Sequence, residues 1–237
     1  MSAPGVIANS DRRALVLGGT GFVGSEVVRA LRLAGVPTAF TWLENEARAM
    51  EGDGEGAFRV DLRDAAALRA LVAERKPTVL VHAAAVSSGA SLGELDDAAW
   101  DEAQAVNVRS AFVAIQAATH AMTAAGGGDI VLVGALDRAQ SLPLPIHFAA
   151  TQGALSAMTM ALAKELGPHQ IRINMIALGV LDGGISKTLS GKMVADYKSF
   201  SALRRTGTAV EAARAIAWLA LENTWMTGKV VPVNGGI

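Results

Sequence analysis

The first chemistry the chain suggests lies in a cluster of glycines. Gly18, Gly19, Gly21 and Gly24 follow the apolar run 14–17 and precede an amphipathic stretch with Val27, Val28 and Leu31 at helical spacing. A strand, a glycine turn and a helix in that order can hold a pyrophosphate. Glycine permits the tight reversal, the close approach of backbone to phosphate, and the packing of helix on strand. The helix start adds free N–H groups and a partial positive charge. The same pattern also fits a βα turn with no ligand. Proton carriers are sparser. His82 ends an apolar run, Asp137 and Arg138 follow another, and His147 opens a long helical stretch. Each has a plain structural reading as well. His82 can cap a strand, and Asp137 with Arg138 can form a surface ion pair. His147 is expected to point away from position 148, because adjacent residues on a helix do not share a face. The chain has no cysteine, which excludes thiolate nucleophiles, disulfides and zinc–sulfur sites. No carboxylate pair, His/Glu zinc motif or nucleophile elbow appears, so no metal ligand is assigned.

The elements that must position these residues alternate. Strands are expected at 14–17, 37–42, 57–60, 78–82, 130–133, 171–176 and 229–233. Helices are expected at 25–33, 64–74, 96–106, 108–124, 148–166 and 210–221, with 183–205 irregular and polar but able to hold a short helix. Short apolar strands alternating with helices indicate an α/β fold: one doubly wound, parallel, seven-stranded Rossmann sheet with helices on both faces. A single domain over 12–237 then follows a flexible tail over 1–11, with 183–206 as a loop or lid region. Ligands on such sheets bind beyond the carboxyl ends of the strands, where the strand order reverses. The glycine turn, Asp61, Ala83–Ala85, residues 134–137 and residues 178–183 should therefore meet at one cleft.

Composition narrows the partners. The 237 residues carry a formal net charge of −1 and no long charged run, which argues against nucleic acid and anionic membranes. No apolar run reaches the roughly 18–20 residues of a membrane span. Residues 1–10 lack the build of a signal peptide, so a cytoplasmic location is expected.

Several motifs in register resemble the short-chain dehydrogenase/reductase family, in the compact branch that includes 3-oxoacyl-[acyl carrier protein] reductases. Asp61-Leu62 matches the family's Asp–hydrophobe pair beside the adenine ring. His82-Ala83-Ala84-Ala85 stands where the family has Asn-Asn-Ala-Gly, and Asn107 matches its helix asparagine. Ile171-Arg-Ile-Asn-Met-Ile-Ala-Leu-Gly179 resembles Ile-Arg-Val-Asn-x-Ile-x-Pro-Gly, and residues 227–236 resemble the closing Thr-Gly-x-x-x-x-Val-Asp-Gly-Gly. The resemblance implies NAD(P) as cofactor, with the preference between the two forms open. Its contacts would be Gly18, Thr20, Gly21, Phe22, Gly24, Asp61, Leu62, Ala83 and Ala84. The glycines are spaced as in extended and atypical members, with Phe22 at the compact branch's middle glycine. Glu44, about 20 residues past Gly24, could meet a ribose or stand as a solvated carboxylate. The family's nicotinamide-end threonine becomes Gly183.

The catalytic positions depart further. Of the family's Asn–Ser–Tyr–Lys tetrad, Asn107 is kept, while Ala135, Phe148 and Gln152 stand at the Ser, Tyr and Lys positions. Phenylalanine has no proton to give, and glutamine has no charge to lower a neighbour's pKa. A positioned general acid is worth ~10²–10⁴ in rate, and an oxyanion donor roughly 10²–10³. The expectation is a non-catalytic subunit that assembles with itself or with an active homologue through helices 108–124 and 148–166, and that still holds NAD(P). The alternative is an atypical NAD(P)H-dependent ketoreductase whose substrate supplies its own proton. Met193, Tyr197 and Phe200 would then close over a large apolar ligand.

Overall fold

Short runs of apolar and β-branched residues become strands buried on both faces, which is why they read as unbroken hydrophobic segments. The computed structural model of the chain describes residues 11–50, 56–135 and 144–237. Its strands are β1 (Ala14–Leu17), β2 (Thr38–Trp42), β3 (Ala57–Arg59), β4 (Val79–His82), β5 (Gly128–Gly134), β6 (Ile171–Leu178) and β7 (Val230–Val233). All seven run parallel in one sheet, ordered β3-β2-β1-β4-β5-β6-β7. Helices α1 (Phe22–Leu33) and α8 (Ala209–Leu221) cover one face, where Val27, Leu31, Ile216 and Leu219 pack on Val16, Val81 and Val131. Helices α3 (Ala65–Arg75), α5 (Ser110–Ala124) and α6 (Ile146–Leu166) cover the other, where Leu68, Ile115 and Leu155 join Leu15, Leu80 and Leu132. The described residues also form the short helices α2 (Glu46–Ala49), α4 (Asp97–Ala103) and α7 (Gly191–Phe200). The doubly wound single-domain sheet expected from the sequence is therefore the observed fold.

The strand order turns back between β1 and β4, so the loops after β1, β2, β4, β5 and β6 share one edge. Far from it, at the amino ends of β5 and β6, Asp129 lies buried between Arg172 (2.8 Å) and Arg12 (3.4 Å).

One local expectation changes. Residues 96–106 and 108–124 do not form two separate helices. α4 continues into α5 through a π-helical turn, Gln104–Arg109, which carries Asn107. A π turn holds an extra residue without breaking the helix, and such turns gather at functional sites. Segment 183–205 holds the short helix that the sequence allowed: a 3₁₀ turn, Gly184–Thr188, is followed by α7, whose first turn is capped by Ser190. Residues 1–10 of the expected tail, and Asp137 with Arg138, lie outside the described residues.

Candidate functional site

The glycine turn is built by close approach. Gly18 has φ +80°, a left-handed conformation, and a Cβ there would lie 2.8 Å from the Ala84 Cα. A Cβ on Gly24 would lie 2.1 Å from the Gly18 carbonyl oxygen. Gly24 is thus not part of the cleft wall; it lets α1 pack against the turn. The end of β2 shapes the turn from the other side. The Gly18 N–H donates to Thr41 Oγ1 at 2.9 Å, and the Gly19 N–H donates to the Thr41 carbonyl at 2.9 Å. Motif spacing did not single out Thr41, because its role depends on the β1–β2 pairing. α1 begins at Phe22, and its N-cap, Gly21, supplies no side-chain acceptor. Its first N–H groups are therefore open to an anion from the cleft.

Beyond the strand ends lies a cleft of about 500 Å³, within the usual range for small-molecule sites. Gly18, Thr20, Gly21, Phe22, Asp61, Leu62, Ala83 and Ala84 line its first half, together with Trp42 and Glu44. The Asp61 carboxylate is clasped by Arg63, whose Nε and Nη2 donate to it at 2.9 and 2.7 Å. That hydrogen-bonded contact holds the Asp61 pKa below the usual carboxylate range. Arg63 also lines the cleft and reaches Glu102 at 3.5 Å. The carboxylate that the resemblance offers to adenine thus comes joined to a guanidinium, which sequence reasoning missed.

The second half is walled by Ala135, Phe148, Gln152 and the loop after β6. Gln152 is 1% exposed and turned inward. Its Oε1 accepts the Ala135 N–H at 3.0 Å and its Nε2 donates to Thr151 Oγ1 at 3.3 Å. Thr151 in turn accepts from Asn107 Nδ2 at 3.1 Å. Asn107 also brackets Val86, accepting its N–H at 2.8 Å and donating to its carbonyl at 3.0 Å. Asn107 is wholly buried behind the cleft wall. A continuous polar chain therefore joins the loop after β4 to the end of β5, with every member satisfied by the protein itself.

The other candidate proton carriers lie elsewhere. His82 is fully buried and its Nε2 pairs with Ser110 Oγ at 2.6 Å. Ser110 donates to the Val106 carbonyl, so His82 acts as the donor in that pair. Burial pushes its pKa down to about 4, which keeps the imidazole neutral. His147 is buried, and its Nε2 accepts the Ser88 N–H at 3.1 Å, away from the cleft wall as its position beside Phe148 predicts. Tyr197 does not cover the cleft: it is 1% exposed and its hydroxyl donates to the Asn234 carbonyl at 2.5 Å. Met193 and Phe200 do not line the cleft either. The part of 183–206 that does so is Gly183–Ser186, Thr188 and Leu189. α7 itself is held to the ends of β6 and β7.

Comparison with known proteins agrees with this architecture. A family model described as Enoyl-(Acyl carrier protein) reductase matches residues 22–237. Nodulation protein G of Rhizobium sp. (strain N33) is 27% identical, over 96% of this chain and 97% of that one. The 3-oxoacyl-[acyl-carrier-protein] reductase MabA of Mycobacterium bovis is 26% identical, over 96% and 93%. Among solved structures, a blue fluorescent protein from a metagenomic library in complex with NADPH superposes with a TM-score of 0.86 at 29% identity, covering 97% of this chain and 99% of the other.

Proposed function

Since the chain belongs to the short-chain dehydrogenase/reductase family, in its 3-oxoacyl-[acyl carrier protein] reductase-like branch, we propose that it keeps that family's dinucleotide cleft without the proton relay and serves as a non-catalytic subunit. The residues fit an NAD(P)-type group. Gly18 and Gly24 leave no room for a Cβ, which keeps the turn tight, and the uncapped start of α1 opens on the cleft. Gly18, Thr20, Gly21 and Phe22 would hold the pyrophosphate, with Asp61, Arg63 and Leu62 beside the adenine. When bound, the nicotinamide would supply a hydride to a carbonyl carbon.

A reduced carbonyl also needs a proton and stabilisation of its oxygen. The observation that carries the reading is the state of Gln152 and Phe148. The Gln152 amide is bonded inward to Ala135 and Thr151 and carries no charge, and Phe148 presents only ring carbons. Neither can lower a neighbour's pKa, and Ala135 has no hydroxyl for a developing oxyanion. For assembly, α6 exposes Gly153, Ala157, Met160 and Ala161 while its Leu155, Thr159 and Ala163 face the core. Phe112 of α5 is also exposed. Small residues with an adaptable methionine suit close helix packing against a second copy or an active homologue.

A reductase whose substrate brings its own acidic hydroxyl is favoured by one observation. Ser186 lines the cleft and accepts the Leu181 N–H at 3.1 Å, which leaves its own proton to donate. The two readings part in one assay. The purified chain is mixed with NADPH and a 3-oxoacyl thioester, then with a ketone carrying an adjacent phenol. No turnover with either supports the non-catalytic subunit, and steady NADPH oxidation at an enzyme-like rate overturns it.

A further inference from the structure

Phe22 serves two regions at once. Its backbone opens α1, where the unsatisfied N–H groups face the cleft. Its side chain lies under the loop that follows β6. A Cβ on Gly183 would sit 2.5 Å from the Phe22 ring carbon Cε2, and one on Gly184 would sit 3.0 Å from the Phe22 Cβ. Gly184 also has φ +65°, which glycine adopts without strain. Both glycines are therefore shaped to lie on this aromatic ring, and both line the second half of the cleft.

The strap they belong to, 183–189, is held at its ends and bonded mainly to itself in between. Before it, the Asp182 N–H donates to the Gly207 carbonyl at 3.0 Å. After it, Ser190 caps α7. α7 is fixed by the chain's single tyrosine. Tyr197 is bonded to Asn234 and lies so close over Gly179 that a Cβ there would come within 2.0 Å of the phenol oxygen. The Leu203 N–H then donates to the Gly235 carbonyl at 3.0 Å. Within the strap the hydrogen bonds are local: Thr188 to the Ile185 carbonyl and the Leu189 N–H to the Ser186 carbonyl, with Ser186 Oγ reaching back to Leu181. In a short, locally bonded segment between anchored ends, two glycines set against one aromatic ring make that ring a determinant of the segment's position.

We propose that Phe22 is a positioning residue that transmits occupancy of the glycine turn to strap 183–189. An anion held at the start of α1 fixes the Phe22 backbone. The fixed ring then holds Gly183 and Gly184, and with them the wall of the second half of the cleft. This rests on the reading that a dinucleotide occupies the glycine turn.

Hydrogen exchange on the full chain tests it, with and without saturating NADPH, in wild type, Phe22→Ala and Phe22→Leu. In wild type, NADPH should slow exchange in 183–189 at least ~5-fold, with α7 changing less than about 2-fold. Phe22→Ala should lose most of the strap's protection at saturating NADPH, and Phe22→Leu should keep about half of it on a logarithmic scale. Gly183→Ala approaches the same contact from the strap and should also lose protection, with its fold checked by circular dichroism. Equal protection in wild type and Phe22→Ala overturns the proposal, as does a bound wild type whose strap is unprotected; in both cases the nucleotide reading stands. Loss of saturable binding in both Phe22 variants would make the Phe22 side chain, and not only its backbone, part of the phosphate site and also overturns it. Failure of wild type to bind NADPH removes the nucleotide reading, and the proposal with it.

Discussion

The two halves of the cleft are built from the same kind of strand end, yet they present opposite surfaces. The first half offers open groups: the uncapped start of α1, the Asp61–Arg63 pair and the Glu44 carboxylate. In the second, Gln152 is bonded inward and the Phe148 ring forms wall. One half of the cleft thus keeps charged and backbone groups open, while Gln152 and Asn107 behind the other are bonded to the fold. The difference lies in where hydrogen-bonding groups are directed.

Restoring the missing groups is the strongest way to break this contrast. The triple variant Ala135→Ser, Phe148→Tyr, Gln152→Lys should raise NADPH-dependent reduction of a 3-oxoacyl thioester by ~10²–10⁴ over the native chain. The readout is NADPH absorbance, and no gain would show that the second half is closed to a carbonyl for another reason.

His82 lies at the end of β4, beneath the junction of the halves. Its folded pKa of about 4 lies below the ordinary histidine value of 6.5, so the unfolded chain binds the extra proton. Stability should be complete above pH 6.5 and fall as the pH drops toward 4, by about 3 kcal/mol. Urea unfolding across this range measures it, and His82→Asn should flatten the profile.

Gly24→Ala tests the first half alone. Its Cβ would collide with the Gly18 carbonyl, so the turn must open, at about 1–3 kcal/mol of stability and at least ~10-fold in NADPH affinity by calorimetry. The smallest effect belongs to Asp61→Asn. The Asp61–Arg63 pair is partly exposed, so stability should change by less than about 1 kcal/mol. Nucleotide affinity should fall only a few-fold, roughly 2–5.

Much of the cleft was legible beforehand. Glycine spacing after an apolar run marks a turn whatever surrounds it, and Ala135, Phe148 and Gln152 are identities that no fold can alter. Other features depend on contacts between residues distant in the chain. Arg63 could be seen beside Asp61, but its clasp on that carboxylate is a choice of rotamer. Thr41 matters only because β2 pairs with β1. The π turn at Asn107 lies within a stretch whose hydrophobic period breaks, which from sequence looks the same as a helix end. Met193, Tyr197 and Phe200 looked like a lid because apolar residues in a polar segment suggest a ligand; in Tyr197 the ligand is the protein itself.

What the amino-acid order determined by itself was local and periodic: seven short strands alternating with helices, a turn that only glycine can make, and three side chains without a proton to move. What only the folded chain decided was which polar groups remain free. A hydrogen bond is committed by distance and direction, and residues such as Gln152 and Ala135, or Tyr197 and Asn234, acquire those only when the sheet has brought its strand ends together.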